Sequence, residues 1–472
     1  MHKQTVKVGV GQLVFTFGLP PKDEAEETQE NGPLASRAPL AAERRAERKH
    51  KWHSLIDKVY ALPNLWEAWQ QVRAHQGAAG IDKMSVEKFG ERALERLEQL
   101  SADLRNKSYR PQPVRRVLIP KNGGGQRPLG IPTVRDRIVQ QALLQVLEPI
   151  FEAKFSNRSH GFRRERGCAT ALRVVDRAVR HGYGWVVDAD IETFFDTVDH
   201  EKLLEALNEE VADASVLKLI RQILRAGVVL PEAAEVEPTE LGTPQGGPAS
   251  PLLANIYLHR LDERMVEAGY GLVRYADDFV IFAKSESEAT AALTLAREVL
   301  EGELGLTLHP EKTRVVSVAE GFAFLGFHSF RDPKTGRIQK EVRRKSVQRF
   351  REAVRLRTPR LHAQRAVKAK HITLGRLAKN QRLEKIISDL NRYLVGWHWY
   401  FKPIRSRYDP PFGSFDGFVR RRVRLAITGR VGSGWWNQLI TNDMLRSLGL
   451  VSLTELQGKY LSGQLLAPVW KD

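Results

Sequence analysis

Apolar residues change their spacing several times along this chain, and each change marks an expected element. Val6, Val8 and Val10 alternate as a strand does, within Val6 to Phe17. Pro20 to Lys51 is rich in Ala, Glu, Arg and Pro with no Phe, Tyr or Trp, and reads as a linker or partly helical arm. From Trp52 to Leu104 the spacing is helical (Leu55, Val59, Leu62; Leu65, Trp69, Val72; Leu94, Leu97, Leu100, Leu104), interrupted by the turn Gly77-Ala78-Ala79-Gly80. Val114 to Pro132 reads as a hairpin around Gly123 to Gly125, and Val134 to Phe151 as an apolar helix ending near Pro149. Phe155 to Thr170 mixes Arg and Gly without a period.

The second half of the pattern centres on strands. Trp185 to Val187 reads as a buried strand, and Asp190 falls where it gives way to a helix-like stretch. Leu203 to Leu224 is expected to be one helix, and Gly242 to Ile256 a Gly/Pro loop running into another. In Gly271 to Lys284, the runs Leu272-Val273 and Phe279 to Phe282 flank Tyr275-Ala276-Asp277-Asp278, which makes a hairpin with two carboxylates at its tip. An amphipathic helix over Glu286 to Leu304 follows, then Gly305 to Thr313 and a strand-like Phe322 to Phe330. This order suits an α+β fold whose antiparallel sheet is backed by helices on one face.

Composition narrows the class. At 472 residues and 42% apolar, the chain has material for roughly two to four domains with real cores. Its formal charge of +18 points to a polyanionic partner, and the excess is local: Arg331 to Arg407 holds 23 Lys or Arg against 5 Asp or Glu, so the remainder is balanced. The one cysteine, Cys168, excludes an intrachain disulfide and leaves no paired ligands for zinc, which fits a reducing cytoplasm. No signal peptide or membrane span is expected.

Asp277 and Asp278 are adjacent acids, and a divalent cation relieves their repulsion, because Mg²⁺ takes one or two carboxylates beside water and phosphate. Asp is also an ordinary turn residue, so the pair alone leaves a solvated turn open. Among Asp188, Asp190, Asp196 and Asp199, the last two read as caps or surface residues, and Asp190, amid apolar neighbours, as the better ligand. An acid ending a buried strand and two more on a later hairpin suit a two-metal phosphoryl-transfer centre, with its ions about 3.5 to 4 Å apart. Lys121 and Arg127 flank the glycine turn on opposite arms, either pointing one way to neutralise a triphosphate or standing as solvated cations.

The series RPLGIPTVRDR, HGFR, DIETFF, GTPQGGPASPLLANI, YADD, LHPEKT and FLGF resembles, in order and spacing, the reverse transcriptases encoded by bacterial group II introns. The likeness covers Leu55 to Leu450. It implies a right-hand polymerase with fingers and palm followed by an α-helical thumb and maturase region, copying RNA into DNA with two Mg²⁺ ions, for which Mn²⁺ substitutes. By the resemblance, Asp190 and Asp277 are metal ligands and Asp278 completes the carboxylate set. The likeness puts Phe195 beneath the sugar of the incoming nucleotide, where it disfavours a 2′-hydroxyl. Gln245 and Gly246 match the loop against the nascent base pair, Lys121 and Arg127 the finger cations on the triphosphate, and Ile191 joins this nucleotide-binding set. Lys312 matches a lysine near the primer terminus, with plain backbone neutralisation as its other reading.

NRYLVGWHWYF at Asn391 to Phe401 and GLVSL at Gly449 to Leu453 are similar to the family's thumb and maturase region, which grips intron RNA. Leu390, Tyr393, Leu394, Trp397 and Phe401 recur at helical spacing and read mostly as core, leaving the interleaved cations as RNA contacts. Arg163 in the Arg/Gly loop, and Arg343, Arg344, Arg351 and Arg355 on one face of a three-helix thumb, are the expected nucleic-acid contacts. The expected divisions are a flexible extension over 1–50, a helical part of the fingers over 51–113, fingers and palm over 114–330, a basic thumb and maturase region over 331–407, and a helical nucleic-acid-binding region over 408–472.

Without paired cysteines for a zinc endonuclease, the chain is expected to belong to the endonuclease-less branch. Its partners would be a structured group II intron RNA, a DNA primer and deoxynucleoside triphosphates, with no membrane. Two rivals stand beside this reading: a splicing maturase with a vestigial polymerase site, and a stand-alone relative recruited for DNA repair, phage defence or CRISPR adaptation. Retention of all three carboxylates favours activity over the first.

Overall fold

A computed structural model describes residues 51–120, 126–230, 236–243, 246–361, 373–402, 412–429 and 439–463. The strand expected at Val6 to Phe17, the arm before residue 51 and the glycine turn at Gly123 to Gly125 lie outside them. The described residues form two compact units, 51–320 and 321–463.

In the first unit, helices α1 (Ile56–Tyr60), α2 (Leu62–His75), α3 (Val86–Gly90) and α4 (Ala93–Arg105) precede a hairpin of β1 (Val114–Pro120) and β2 (Gln126–Ile131). The helical spacing resolves into packing. Leu65, Trp69 and Val72 of α2 and Leu97, Leu100 and Leu104 of α4 are buried in one core with α5 (Val134–Glu152). Thr133 caps α5 by accepting from Asp136 N. The helix runs through Pro149 and stops three residues later than expected, because a proline so near the end frees only one carbonyl bond.

A helix not anticipated from the pattern, α6 (Cys168–Arg180), leads into β3 (Trp185–Asp190). After the short α7 (Phe194–Thr197), the single helix expected over Leu203 to Leu224 is two, α8 (His200–Asn208) and α9 (Ala214–Leu224). Asp213 makes the break: it caps α9 through Ser215 N and Val216 N, while its other oxygen accepts from Leu55 N at 2.7 Å and Ile56 N at 2.9 Å. Burial works to raise the Asp213 pKa, but these four backbone donors outweigh it and hold the carboxyl below its usual range. Short strands β4 (Val228–Val229) and β5 (Val236–Glu237) extend the first sheet to the order β2-β1-β4-β5.

The second sheet has the order β6-β7-β3-β8, with β6 (Gly271–Tyr275), β7 (Asp278–Ala283) and β8 (Arg314–Ser317), antiparallel throughout. Helices α10 (Ser250–Glu267), α11 (Glu286–Arg297) and α6 pack on it. Val187, Ala189, Leu272, Phe279, Ile281 and Ala283 join the helical core, and Ala289, Ala292 and Ala296 let α11 approach closely. Alternation sends Val186, Asp188, Asp190, Asp278, Val280 and Phe282 to the opposite face. The helix expected to run from Glu286 to Leu304 widens into a π-turn over Glu298–Glu303, whose Glu303 takes Arg260 and Arg264.

In the second unit, β9 (Phe322–Phe324), β10 (Phe327–Arg331) and β11 (Ile338–Val342) form an antiparallel sheet, followed by α12 (Arg344–Arg357), α13 (Leu374–Ala378), α14 (Gln381–Phe401), α15 (Phe412–Thr428), α16 (Asn442–Ser447) and α17 (Leu453–Leu461). Leu390, Leu394, Trp397 and Phe401 are buried as expected, and Phe350 of α12 lies 4.7 Å from Trp397 and 4.8 Å from Phe415. Asp416 of α15 accepts from Ser452 Oγ, Leu453 N and Thr454 N, so one helix caps another at GLVSL. Among the described residues no helix is long and apolar enough to cross a membrane.

Candidate active site

The turn between β6 and β7 contains two residues, Ala276 and Asp277, since Tyr275 pairs with Asp278. Ala276 takes φ of 58°, a left-handed conformation uncommon for a side chain with a Cβ. β7 also pairs with β3, and the register sets Asp190 directly opposite Asp278. Cross-strand neighbours in such a ladder have Cβ atoms about 4.5 to 5.5 Å apart on one face. The two strand-end acids therefore share the face turned from the helical core, with Asp277 next in the turn.

The segment after the π-turn is strapped to the end of β3. Glu192 N donates to Thr307 O and His309 N to Asp190 O, both at 2.8 Å, and Ile191 bridges Leu308. The turn that follows brings Lys312 Nζ to 2.7 Å from Asp190 Oδ2, and on β8 Arg314 reaches Asp188 at 3.4 Å. Asp190 and Lys312 are both partly exposed. Asp199 caps α8 and Asp196 is exposed, the roles read for them from the sequence.

Beyond β3, the segment that carries Phe195 meets the Gly/Pro loop at Thr243, and that loop meets β2 at Gly246. Phe195 is half-buried, with its ring edge-on to the buried Phe194 at 5.1 Å, and its carbonyl accepts from Thr243 N at 2.8 Å. Gly246, at φ of 125°, comes so close to β2 that a Cβ there would lie 2.5 Å from Gly130 O. The Ile191 side chain is buried, so only its backbone faces outward chemistry. Lys121 and Gln245 lie outside the described residues, as does the side chain of Arg127, whose backbone pairs with Ile119.

Arg163 is a correction. Expected on phosphate, it is buried instead: Nε and Nη2 embrace Glu152 at 2.7 to 3.0 Å, and Nη1 donates to Ser156 O and Ser159 O. Nothing of its fork remains for a ligand. Arg164 and Arg166 of the same loop are also engaged, with Glu148 and Asn157. In the second unit, by contrast, Arg343, Arg344, Arg351 and Arg355 are exposed, and the Arg351 and Arg355 guanidiniums both lie 5.8 Å from the Phe418 ring.

Sequence reasoning missed the polar groups beneath the hairpin, namely Asn255 and Asp262 of α10 and Arg274 of β6, all buried. The only signal was the place of Asn255 inside GTPQGGPASPLLANI and of Arg274 directly before YADD, while Asp262 lies outside every recognised motif. The carboxylate set itself offers only hard oxygen donors, which suit Mg²⁺. As they stand, no three His, Cys, Asp or Glu side chains among the described residues are gathered tightly enough to hold an ion. The fit is one of donor chemistry and shared placement, with Lys312 as the cation on Asp190.

Residues 119–329 match the family described as reverse transcriptase (RNA-dependent DNA polymerase). Protein YkfC of Escherichia coli strain K12 is 35% identical over 291 residues, which is 53% of this chain and 76% of that protein. Group II intron-encoded protein LtrA of Lactococcus lactis subsp. cremoris is 41% identical over 203 residues, 42% of this chain and 33% of LtrA. Nuclear intron maturase 1, mitochondrial, of Arabidopsis thaliana is 40% identical over 94 residues, 20% of this chain and 13% of that one. The chain thus spans three quarters of YkfC but a third or less of the two intron proteins. With a polymerase domain over its antiparallel sheet and a basic helical region after it, the chain belongs to the group II intron reverse transcriptase/maturase family.

Proposed function

We propose that this protein is an RNA-directed DNA polymerase that also binds a structured intron RNA and assists its splicing. The observation that carries the polymerase reading is the register of Asp190 against Asp278, with Asp277 in the adjoining turn, on the sheet face opposite the one that carries Val187, Ala189 and Ile281 into the helical core. In the reaction a primer 3′-hydroxyl attacks the α-phosphate of a deoxynucleoside triphosphate and pyrophosphate leaves, so the protein's work is positioning and charge neutralisation. Two Mg²⁺ ions, or Mn²⁺ in their place, would be held by Asp190, Asp277 and Asp278 and would supply Lewis acidity to the phosphoryl group.

The remaining work falls to side chains and backbone. Phe195, half-buried five residues after Asp190, would limit the space for a sugar 2′-hydroxyl, and Gly246 would permit close approach of its loop to the nascent base pair. Lys121 and Arg127 neutralise the triphosphate, and Lys312 neutralises backbone near the primer terminus. The maturase part of the reading rests on the excess of positive charge in Arg331 to Arg407, where exposed Arg343, Arg344, Arg351 and Arg355 would meet RNA phosphates. The divisions over 51–113, 114–330, 331–407 and 408–472 are part of the same proposal.

The test is extension of a DNA primer annealed to RNA by the purified chain. Asp190→Ala and Asp277→Ala should each abolish extension while leaving RNA affinity unchanged, and a wild-type rate in either variant removes that residue from the site.

A further inference from the structure

Arg274 has no exposed surface, and its partner Asp262 has none either. The guanidinium is bound on every side. Nε and Nη2 donate to the two Asp262 oxygens at 2.7 and 2.5 Å, and Nη1 donates to Asn255 Oδ1 and to Ala276 O, both at 3.0 Å. Asn255 and Asp262 are seven residues apart on α10, two turns along one face, so a single helix grips the fork at two points. Asn255 then passes the contact on, as its Nδ2 donates to Gly161 O at 2.8 Å.

Gly161 closes the assembly from the loop that runs along the β6 edge of the hairpin. A Cβ there would lie 2.3 Å from Ala276 N and 2.9 Å from the Tyr275 carbonyl carbon, so only glycine allows the two backbones to touch. The strand edge is zipped to the same loop, with His160 N donating to Arg274 O at 2.8 Å and Arg274 N to Arg158 O at 2.9 Å. The turn is thereby clamped at Ala276 N by contact with Gly161 and at Ala276 O by the Arg274 fork. Ala276 is also the residue held at φ of 58°, a conformation that persists only where its surroundings over-determine it.

Stability does not account for this construction. A fully buried ion pair does about as well as apolar side chains of the same volume, or worse, because desolvation cancels the attraction. What apolar side chains cannot do is hold a carbonyl at a set point through a planar fork fixed from two directions. We propose that Arg274, fixed by Asp262 and Asn255, is a positioning residue that sets the conformation of the Ala276-Asp277 turn and so the place of the Asp277 carboxylate. The inference rests on the polymerase reading for its consequence in catalysis, but the placement of the carboxylate can be read separately from turnover.

The experiment uses the full-length protein and two kinds of variant. Asp262→Leu with Arg274→Met removes both charges together and leaves no buried ion stranded, and Gly161→Ala pushes directly on the turn. Single-nucleotide extension gives kcat and KM for the deoxynucleotide, titration with Mn²⁺ followed by electron paramagnetic resonance gives ion affinity without turnover, and a thermal scan reports folding. In both variants kcat should fall about 10- to 100-fold with KM changed by less than about threefold, and Mn²⁺ affinity should weaken by about threefold or more. Should the double variant fail to fold, Gly161→Ala decides alone. Folded variants whose kcat and Mn²⁺ affinity both stay within about twofold of wild type overturn the proposal. A wild-type protein that extends no primer refutes the polymerase reading instead, and the Mn²⁺ titration still decides whether the clamp places Asp277.

Discussion

Lys312 Nζ lies 2.7 Å from Asp190 Oδ2, so the carboxylate that ends β3 carries a cation of the protein's own. A divalent ion at Asp190 has to compete with that ammonium. The pair is largely exposed, which limits its worth to about 1 kcal/mol or less, or a few-fold in affinity. Lys312→Met should therefore tighten Mn²⁺ binding to the protein by about two- to fivefold in a resonance titration at low salt. Equal or weaker binding in the variant would show that Lys312 does not compete.

Phe195 and Phe194 are neighbours with different burial, and only Phe195 has surface left for a ligand. Phe195→Ala or Phe195→Val should raise incorporation of ribonucleotides relative to deoxynucleotides by about tenfold or more, since the discrimination is a collision and the smaller side chain removes it. Primer extension with the two nucleotide classes measures the ratio. An unchanged ratio takes Phe195 out of sugar selection.

Arg163 tests the distinction between a charge that folds and a charge that binds. Its loss strands Glu152 and the carbonyls of Ser156 and Ser159, which should cost about 2 to 4 kcal/mol. Arg163→Ala should lower the thermal midpoint by several degrees, while the RNA affinity of the folded fraction stays at wild type. Weaker RNA binding in a variant of full stability would return Arg163 to the nucleic-acid interface.

His160 gives a pH dependence with a definite sign. Burial first, then Arg166, Arg163, Arg158 and Arg274 around it, lowers its pKa to about 3, and its Nδ1 meets Thr170 Oγ1 at 3.0 Å. In the unfolded chain the same imidazole titrates near about 6.5. Between those values the unfolded state binds a proton that the folded state refuses, so stability rises with pH there and is lost as pH falls from the unfolded value toward the folded one. The thermal midpoint of the wild type should drop more steeply between about pH 6.5 and pH 5 than that of His160→Asn, and equal slopes would mean that His160 does not carry the effect.

Much of the candidate site was legible because its parts are local. The Leu272-Val273 and Phe279 to Phe282 runs with five residues between them specify a hairpin, and the hairpin puts Asp277 at its tip whatever lies around it. Elements were missed where the local signal was short or masked. β8 is four residues long, too few for alternation to register, and α6 has buried residues at helical spacing that the adjoining Arg- and Gly-rich loop obscures. The Leu203 to Leu224 helix was read as continuous because both halves are apolar with the same period. What divides it is Asp213, whose partners Leu55 and Ile56 are remote in sequence.

The amino-acid order by itself determined which acids the chain can present, the hairpin that presents two of them, the helical core positions and the segment where positive charge gathers. Each follows from spacing over a few residues or from simple composition. Only the tertiary structure decided that Asp190 stands against Asp278 and not one residue aside, that Arg163 serves Glu152 while Arg351 and Arg355 stay exposed, and that Arg274 braces the turn before Asp277. The reason is physical: strand register and the burial of a charge depend on partners far along the chain, and an arginine carries the same charge whether or not a carboxylate awaits it.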